Sequence, residues 1–425
     1  MEILEVVASF DWLDGEETIG YLGYEKLGGR DVYSFEYSLQ WIKQHPDVML
    51  GKDLQPFTGK QYAPEGAGIF GCFSDCLPDY WGRLLIELKE RQSDNKKGRL
   101  TFSLSDWDYL KGVEDSLRIG GFRFKDPESG AYLNLSEDFQ VPPMLSLNEL
   151  CEASLEIEKK EFSQAPPDKL WIERLFKPGS SVGGARPKAC VQDNEGLWIA
   201  KFPSSTDRIN EGRWEYFANK MAEQCGIHTT PTKLVPLGKG HDIFLSKRFD
   251  RTADGRRRHM SSALNQFGLT LDSASRQERS YPEIADFIVS KGTNVEQSLQ
   301  ELYRRVALTI CIGNSDDHLK NHSFLLTKKG WELSPVYDIT PSLYMTHSLL
   351  IDGVSNESSL DRLFDAHQLY KIDKDTAYHI IKDVTRNMER WQETARDCGM
   401  TDQEMKVFSQ RFKMGMSSRI RPNYR

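Results

Sequence analysis

The stretch GNSDDHLKN, Gly313 to Asn321, packs two carboxylates, an imidazole, a lysine and two side-chain amides into one short loop, the densest cluster of chemically useful residues in the chain. What flanks it matters as much as its content. Upstream, Leu299, Leu302, Tyr303, Val306 and Ile310 recur at helical spacing, so a buried helix delivers the chain to Gly313, a residue suited to a helix C-terminus. Downstream, Ser323 to Thr327, a Lys329-Gly330 turn and Trp331 to Val336 read as a tight β-hairpin. Tyr337-Asp338-Ile339 follows, so the hairpin returns another carboxylate to the same place.

This arrangement suits phosphoryl transfer from ATP. That reaction needs an Asp to orient and deprotonate the attacking hydroxyl, and oxygen ligands to hold Mg²⁺ against the nucleotide phosphates. Protein kinases supply them as a catalytic-loop Asp, an Asn five residues later, a hairpin and a metal-binding Asp. Asp316 and Asn321 have that spacing, and Asp338 follows the expected hairpin. The His-Arg-Asp and Asp-Phe-Gly triplets are absent, which places the chain far from ordinary protein kinases. Taken singly, Asp316 and Asn321 are turn formers, and the spacing with Asp338 is what favours catalysis. Asp317 reads as a loop-stabilising or solvated neighbour and His322 as structural. His318 in isolation reads as a packed imidazole.

The nucleotide half of such a site is expected upstream. Leu197 to Phe202, LWIAKF, is strand-like, and Lys201 resembles the strand lysine that contacts the α and β phosphates. The next helix offers Glu215 as its ion-pair partner, with Glu211 one turn earlier as the alternative. Before it lies GSSVGGARPK, Gly179 to Lys188, where paired glycines let backbone amides approach phosphate oxygens and Arg186 and Lys188 add charge. It is not a Walker A loop, which requires Gly-Lys-Ser/Thr.

GSSVGGARPK, WIAKFP, SKRFDR, GNSDDHLKNHSFLL and LSPVYDITPS, in that order, resemble the signature segments of the HipA family of serine/threonine kinases, the toxin half of bacterial toxin–antitoxin pairs. FSDCLPDYWGRLLIE resembles that family's N-terminal region. The resemblance implies a bilobal kinase fold with Asp316 as catalytic base, Asn321 and Asp338 on Mg²⁺, and His318 and Lys320 beside the transferring phosphate. It implies ATP contacts from Lys201 and from a loop over Gly183, Gly184, Ala185, Arg186, Pro187 and Lys188, with the backbone at Lys247, Arg248 and Phe249 holding adenine. It implies autophosphorylation of a loop serine, Ser181 or its neighbour Ser180, that switches the enzyme off. The implied partners are a protein substrate, an aminoacyl-tRNA synthetase by family precedent, a helix-turn-helix antitoxin, and operator DNA reached only through that antitoxin. The run Ala185-Arg186-Pro187-Lys188 departs from the Gln-containing loop of the best-known members.

The fold class expected is α+β: a β-rich region over residues 1–140 carrying a few helices, a mixed α/β lobe over 141–250, and a mostly helical lobe over 251–425. Ser146-Leu147-Asn148-Glu149 reads as a capping box opening a helix. A chain of 425 residues with net charge −8 argues against a broadly basic nucleic-acid-coating protein. No run of about 18 apolar residues suggests a membrane helix, and the acidic start lacks a secretory n-region, so cytoplasm is the expected compartment. Seven scattered cysteines without a CxxC pair argue against a disulfide scaffold or zinc ribbon and read as buried thiols. Arg256-Arg257-Arg258-His259, after an Asp254-Gly255 turn, reads as a solvated hairpin tip in preference to a basic tip that touches DNA in an antitoxin complex. Phe70, Phe73, Tyr80 and Trp81 read as core. Three rivals remain: a small-molecule kinase using the same Asp and Asn, a catalytically dead co-repressor that joins an antitoxin, and a metal-dependent hydrolase on Asp316, Asp317 and His318.

Overall fold

Strand β1 (Glu2–Ala8) pairs antiparallel with β2 (Glu17–Leu27), and β2 with β3 (Arg30–Tyr37). The second turn is two residues long, Gly28 and Gly29 with φ of 56° and 84°, a backbone only glycine adopts without strain, and its twist matches that of the strands it joins. Helix α1 (Leu39–Gln44), capped by Ser38, and the short β4 (Gln61–Tyr62) follow. Helices α2 (Gly71–Ser74), α3 (Tyr80–Asn95) and α4 (Asp106–Gly112) lead to β5 (Phe122–Lys125), which completes a sheet in the order β4-β3-β2-β1-β5. The computed structural model describes all residues except 67, 96–102, 137, 164–168, 182–183, 239–240, 271–273, 275–276 and 421–425.

Helices α5 (Leu147–Ser163) and α6 (Lys169–Ser180) precede the antiparallel pair β6 (Lys188–Asp193) and β7 (Gly196–Lys201). Helix α7 (Glu211–Gln224), β8 (Thr232–Pro236), β9 (Asp242–Lys247), β10 (Met260–Ser262) and α8 (Ala263–Gln266) come next. Then come α9 (Tyr281–Lys291), α10 (Val295–Ile312), the hairpin β11 (Ser323–Thr327) and β12 (Gly330–Leu333), and helices α11 (Leu360–Asp365), α12 (Lys374–Met388), α13 (Trp391–Asp397) and α14 (Asp402–Gly415). The protein is therefore α+β.

The chain divides into two units, Met1–Asp207 with Leu245–Thr270, and Arg208–Phe244 with Leu271–Arg425. Strand β9 passes from one to the other: up to Phe244 it belongs with β8, and from Leu245 with β6 and β7. The first unit closes on an aromatic core of Phe10, Phe35, Phe70, Phe73, Phe122 and Phe124, all at most 3% exposed. In the second, α10 is buried at every residue from 305 to 312, and Trp214, Phe217, Trp391, Phe408 and Phe412 pack edge to face and stacked around α7, α13 and α14.

Three expectations need correction. Ser146 does not cap α5: residues Met144–Ser146 form a 3-10 turn that runs straight into the helix, and Glu149 pairs with Arg174 instead. Tyr80 is 60% exposed, whereas Phe70, Phe73 and Trp81 are core. The basic run at 256–259 is solvated only in part, Arg256 being exposed. Arg257 is buried and donates to Asp115, and His259 is 1% exposed, its ring stacked on Phe10 at 4.9 Å. Burial pushes the His259 imidazole down to about 3, so it sits neutral among phenylalanines. All seven cysteines are free and buried, as expected. Among the described residues no helix is long and apolar enough to cross a membrane.

Candidate active site

In the second unit, α10 ends at Gly313, whose left-handed φ of 72° turns the chain out of the helix. A Cβ there would come within 2.6 Å of Arg411 Nε and 2.7 Å of the Ser342 carbonyl oxygen, so the turn is hemmed in as well as left-handed. The loop that follows is tied down residue by residue. Ser342 N donates to the Gly313 carbonyl at 3.0 Å, and Ser348 donates to the Ser315 carbonyl through its amide (2.9 Å) and hydroxyl (3.0 Å). Beneath them a buried chain runs from Arg411 through Ser358 (2.7 Å) and His347 (3.0 Å) to the Asn314 carbonyl (3.1 Å). Asn314 Oδ1 accepts from Thr340 N, two residues past Asp338.

Along this loop the carboxylates have opposite environments. Asp316 is exposed; Asp317 is 5% exposed. Partial burial raises the Asp316 carboxyl above its usual range, His318 opposes that rise, and the neighbouring charges of Asp338 and Asp317 add to it. Burial would also raise Asp317, but His322, 3.0 Å away, and the hydrogen bond from Tyr281 outweigh it and hold Asp317 below the usual range. Asn321, buried in the 3-10 turn Leu319–Asn321, donates from Nδ2 to the Asp316 carbonyl at 3.2 Å. Asp338 has a φ of 58°, a left-handed conformation that Asp tolerates better than most residues. Tyr337, its neighbour, donates its hydroxyl to the Lys320 carbonyl at 2.6 Å and meets Ser323 Oγ, so the hairpin and the loop are clasped together. His318 is half-buried, with Nδ1 lacking a hydrogen-bond partner among the described residues. The unit thus brings Asp316, His318, Asn321 and Asp338 together, with Lys320 on the same loop. Glu215 lies 5% exposed on α7.

Oxygen donors from Asp338 and Asn321 suit a hard cation. Among the described residues no three His, Cys, Asp or Glu side chains converge as a metal cage. A Mg²⁺ ion needs no such cage, since one or two carboxylates plus substrate phosphates hold it.

In the first unit, Lys188 and Lys201 face each other as register partners across β6 and β7, both under 9% exposed. The loop before them is anchored by a residue that sequence reading missed. Asp79, in the turn opening α3, accepts from Gly184 N at 2.6 Å, Trp81 N donates to the Gly184 carbonyl at 3.3 Å, and Trp81 Nε1 to the Lys188 carbonyl at 3.0 Å. Ala185 is exposed; Pro187 accepts from Phe202 N at 2.9 Å. Arg186 makes a two-pronged pair with Asp207 at the wall of a cleft of about 390 Å³ that also holds Tyr80, Glu158 and Ser204. Ser181 is 4% exposed with its hydroxyl unpartnered among the described residues. Gly183 and the Ser180 side chain lie outside what is described.

Lys247 and Phe249 are half-buried, whereas Arg248 is occupied internally. Its amide donates to the Leu197 carbonyl at 2.9 Å and its guanidinium to Asp250 and the Leu117 carbonyl. Arg248 therefore supports this segment rather than presenting a side chain to a ligand. Asn314, Tyr337, His347 and Arg411 likewise escaped sequence reading, because only the fold reveals what their donors and acceptors reach.

The sequence model of the HipA-like C-terminal domain matches residues 180–392. A Haemophilus influenzae protein is 26% identical over 214 residues, 46% of this chain and 60% of that protein. The serine/threonine-protein kinase toxin HipA of Shewanella oneidensis is 24% identical over 197 residues, covering 40% of this chain and 45% of the relative. The toxin YjjJ of Escherichia coli is 25% identical over 198 residues, 44% and 43%. The chain thus spans about half the length of the curated relatives it matches. Among solved structures, the Shewanella oneidensis complex of HipA, HipB and operator DNA contains a chain that superposes over 97% of this one and 96% of its own length, with a TM-score of 0.61 at 16% identity. That likeness is one of fold.

Proposed function

The chain belongs to the HipA family, and from that premise we propose that it is an ATP-dependent serine/threonine protein kinase acting as the toxin of a toxin–antitoxin pair. The observation that carries the reading is the grouping of Asp316, Asn321 and Asp338 around one loop at the end of a buried helix, with Asn321 Nδ2 3.2 Å from the Asp316 carbonyl. In the proposed reaction the acceptor hydroxyl oxygen bonds to the γ-phosphorus, the bond to the ADP oxygen breaks, and Asp316 takes the hydroxyl proton. His318 and Lys320 flank the transferring group. Asn321 and Asp338 would hold Mg²⁺, which when bound would neutralise charge on the phosphates. Lys201, Lys188 and the loop residues 183–187 bind the nucleotide phosphates, and the backbone of Lys247 and Phe249, braced by Arg248, holds the base; Glu215 is the ion-pair partner of Lys201.

The acceptor in this reading is a protein of translation, an aminoacyl-tRNA synthetase by family precedent, in the cytoplasm. A small helix-turn-helix antitoxin restrains the kinase and links it to operator DNA. Ser181 is the proposed self-modification site. A phosphate there adds roughly −1.5 to −2 charges. The Ser181 hydroxyl is buried, and burying that charge is costly, so the loop would leave its present place and nucleotide binding would fail.

The test is intact-mass and peptide mapping after incubation with Mg-ATP, for the protein and for Asp316→Asn. Gain of one phosphate on the peptide containing Ser180 and Ser181, absent in the variant, is the expected result. Failure of the unaltered protein to phosphorylate itself or any protein acceptor overturns the reading.

A further inference from the structure

Of the adjacent carboxylates at the centre of the loop, the kinase reading uses only the exposed one. Asp317 is turned into the protein, and each of its oxygens has a polar neighbour: a hydrogen-bond donor at one, an ion-pair contact at the other. Oδ2 accepts from the Tyr281 hydroxyl at 2.8 Å and lies 3.5 Å from Thr309 Oγ1; Oδ1 lies 3.0 Å from His322 Nε2. These partners come from three elements: the first residue of α9, the last turn of α10, and the residue that follows Asn321. The Tyr281 and His322 rings stand edge to face at 5.6 Å, so the donors also brace one another. A carboxylate buried and enclosed in this way is no candidate for a second base or a hydrolytic metal ligand.

We propose that Asp317 is a positioning residue: through Tyr281 and His322 it fixes the loop so that Asp316 and Asn321, one residue before it and four after it, keep the spacing that transfer requires, and it touches no substrate. This rests on the kinase reading for its consequence, though not for its geometry. The loop's outer face is tied through Ser342 and Ser348, and Asp317 is its tie to α9 and α10. With that tie cut, Asp316 can drift relative to Asn321, and misplacement by about 1 Å costs on the order of 10²-fold in rate.

The test uses the full chain with Asp317→Asn, Tyr281→Phe, and the pair His322→Gln and His322→Leu. Gln carries an N–H donor near the ring Nε2 position; Leu does not. For Asp317→Asn and His322→Leu the expected result is a kcat lowered about 10–100-fold with KM for ATP changed less than about 2-fold and with ATP-binding stoichiometry intact. His322→Gln should recover most of the lost kcat, and Tyr281→Phe should lose less than Asp317→Asn. A purely stabilising role would lower the binding-competent fraction and would not separate kcat from KM. Hydrogen exchange of the peptide spanning Gly313 to His322 reads the tether directly: faster exchange is expected in Asp317→Asn and Tyr281→Phe. If Asp317→Asn does not fold, Tyr281→Phe and the His322 pair carry the same comparison. Unchanged loop exchange, or unchanged kcat in His322→Leu, overturns the proposal. Absence of all phosphotransfer from the unaltered protein overturns the kinase reading instead and leaves the exchange result to decide the tether.

Discussion

Arg248 and Asp250, two residues apart after β9, form a two-pronged ion pair closed off from solvent: Nε to Oδ1 at 2.8 Å and Nη2 to Oδ2 at 2.6 Å, with the side chains 1% and 5% exposed. The pair does not stand alone. Arg251 Nη1 and Gly120 N also donate to Asp250, at 2.8 and 2.9 Å, and Arg248 reaches the Leu117 carbonyl at 2.8 Å. The segment Lys247 to Phe249 is thereby pinned to Leu117–Gly120, the turn before β5. Hence the β-rich region and the proposed adenine segment share one buried charge cluster.

Asp250→Asn should destabilise the protein by about 3–5 kcal/mol, because it leaves two buried guanidinium groups short of a counter-charge. The denaturant midpoint should fall with little change in slope. The pH dependence has a definite sign. Burial would raise the Asp250 carboxyl, but the Arg248 and Arg251 charges outweigh it and hold the group far below the ordinary value of 3.8. A depressed carboxylate contributes fully above the unfolded value of about 3.9 and loses its contribution as pH falls below it. The stability gap between the natural protein and Asp250→Asn should therefore narrow below about pH 4.

Asp316→Asn should lower phosphotransfer by about 10²–10⁴-fold, since only a proton-accepting group changes, while ATP binding measured by calorimetry persists. Because burial raises the Asp316 carboxyl, with Asp338 and Asp317 adding to the shift and His318 opposing it, the acid limb of kcat/KM should lie above that of an ordinary Asp. An acid limb at or below the ordinary range would remove Asp316 as the base.

Gly313→Ala should cost at least about 1–2 kcal/mol from the left-handed backbone alone. The new methyl would also press on Arg411 and the Ser342 carbonyl, at 2.6 and 2.7 Å. Thermal melting and transfer rate should fall together, because the same turn holds α10 and starts the loop. Gly255→Ala is the control: it too has positive φ, at 84°, but among the described residues nothing lies within 4 Å of its added carbon, so it should carry the backbone cost without the effect on rate.

Arg256 and Arg257 should behave oppositely despite being neighbours. Arg256 pairs with Asp254 at the surface, where both side chains are about 60% exposed, and Arg256→Ala should fall within about 0.5 kcal/mol of neutral. Arg257→Ala removes a buried partner of Asp115 and should cost several-fold more, on the order of 3 kcal/mol. Equal effects in urea melts would show that the run is a solvated tip after all.

The elements with strong local signals were legible without coordinates. Helical spacing from Leu299 to Ile310, the glycine at its end and the Lys329-Gly330 turn announced α10, the loop and the hairpin, since each depends on residues adjacent in the chain. The capping box at Ser146 failed for a related reason. Its side chains could satisfy the motif, but a 3-10 turn after Pro143 continues directly into α5 and leaves Ser146 inside a helical turn, not ahead of one.

Sequence alone determined which groups this protein can bring to bear: an Asp and an Asn five apart, a later Asp after a hairpin, a strand lysine and a glycine-bearing loop. Only the tertiary structure decided what each is surrounded by. Asp316 and Asp317 are the same residue in the same loop, and Arg256 and Arg257 the same residue in the same turn; one of each pair meets water and the other is enclosed by partners from distant segments. Covalent order sets the identity of a side chain, but desolvation and hydrogen-bond partners set its charge, its freedom and hence its role, and those come from residues far away along the chain.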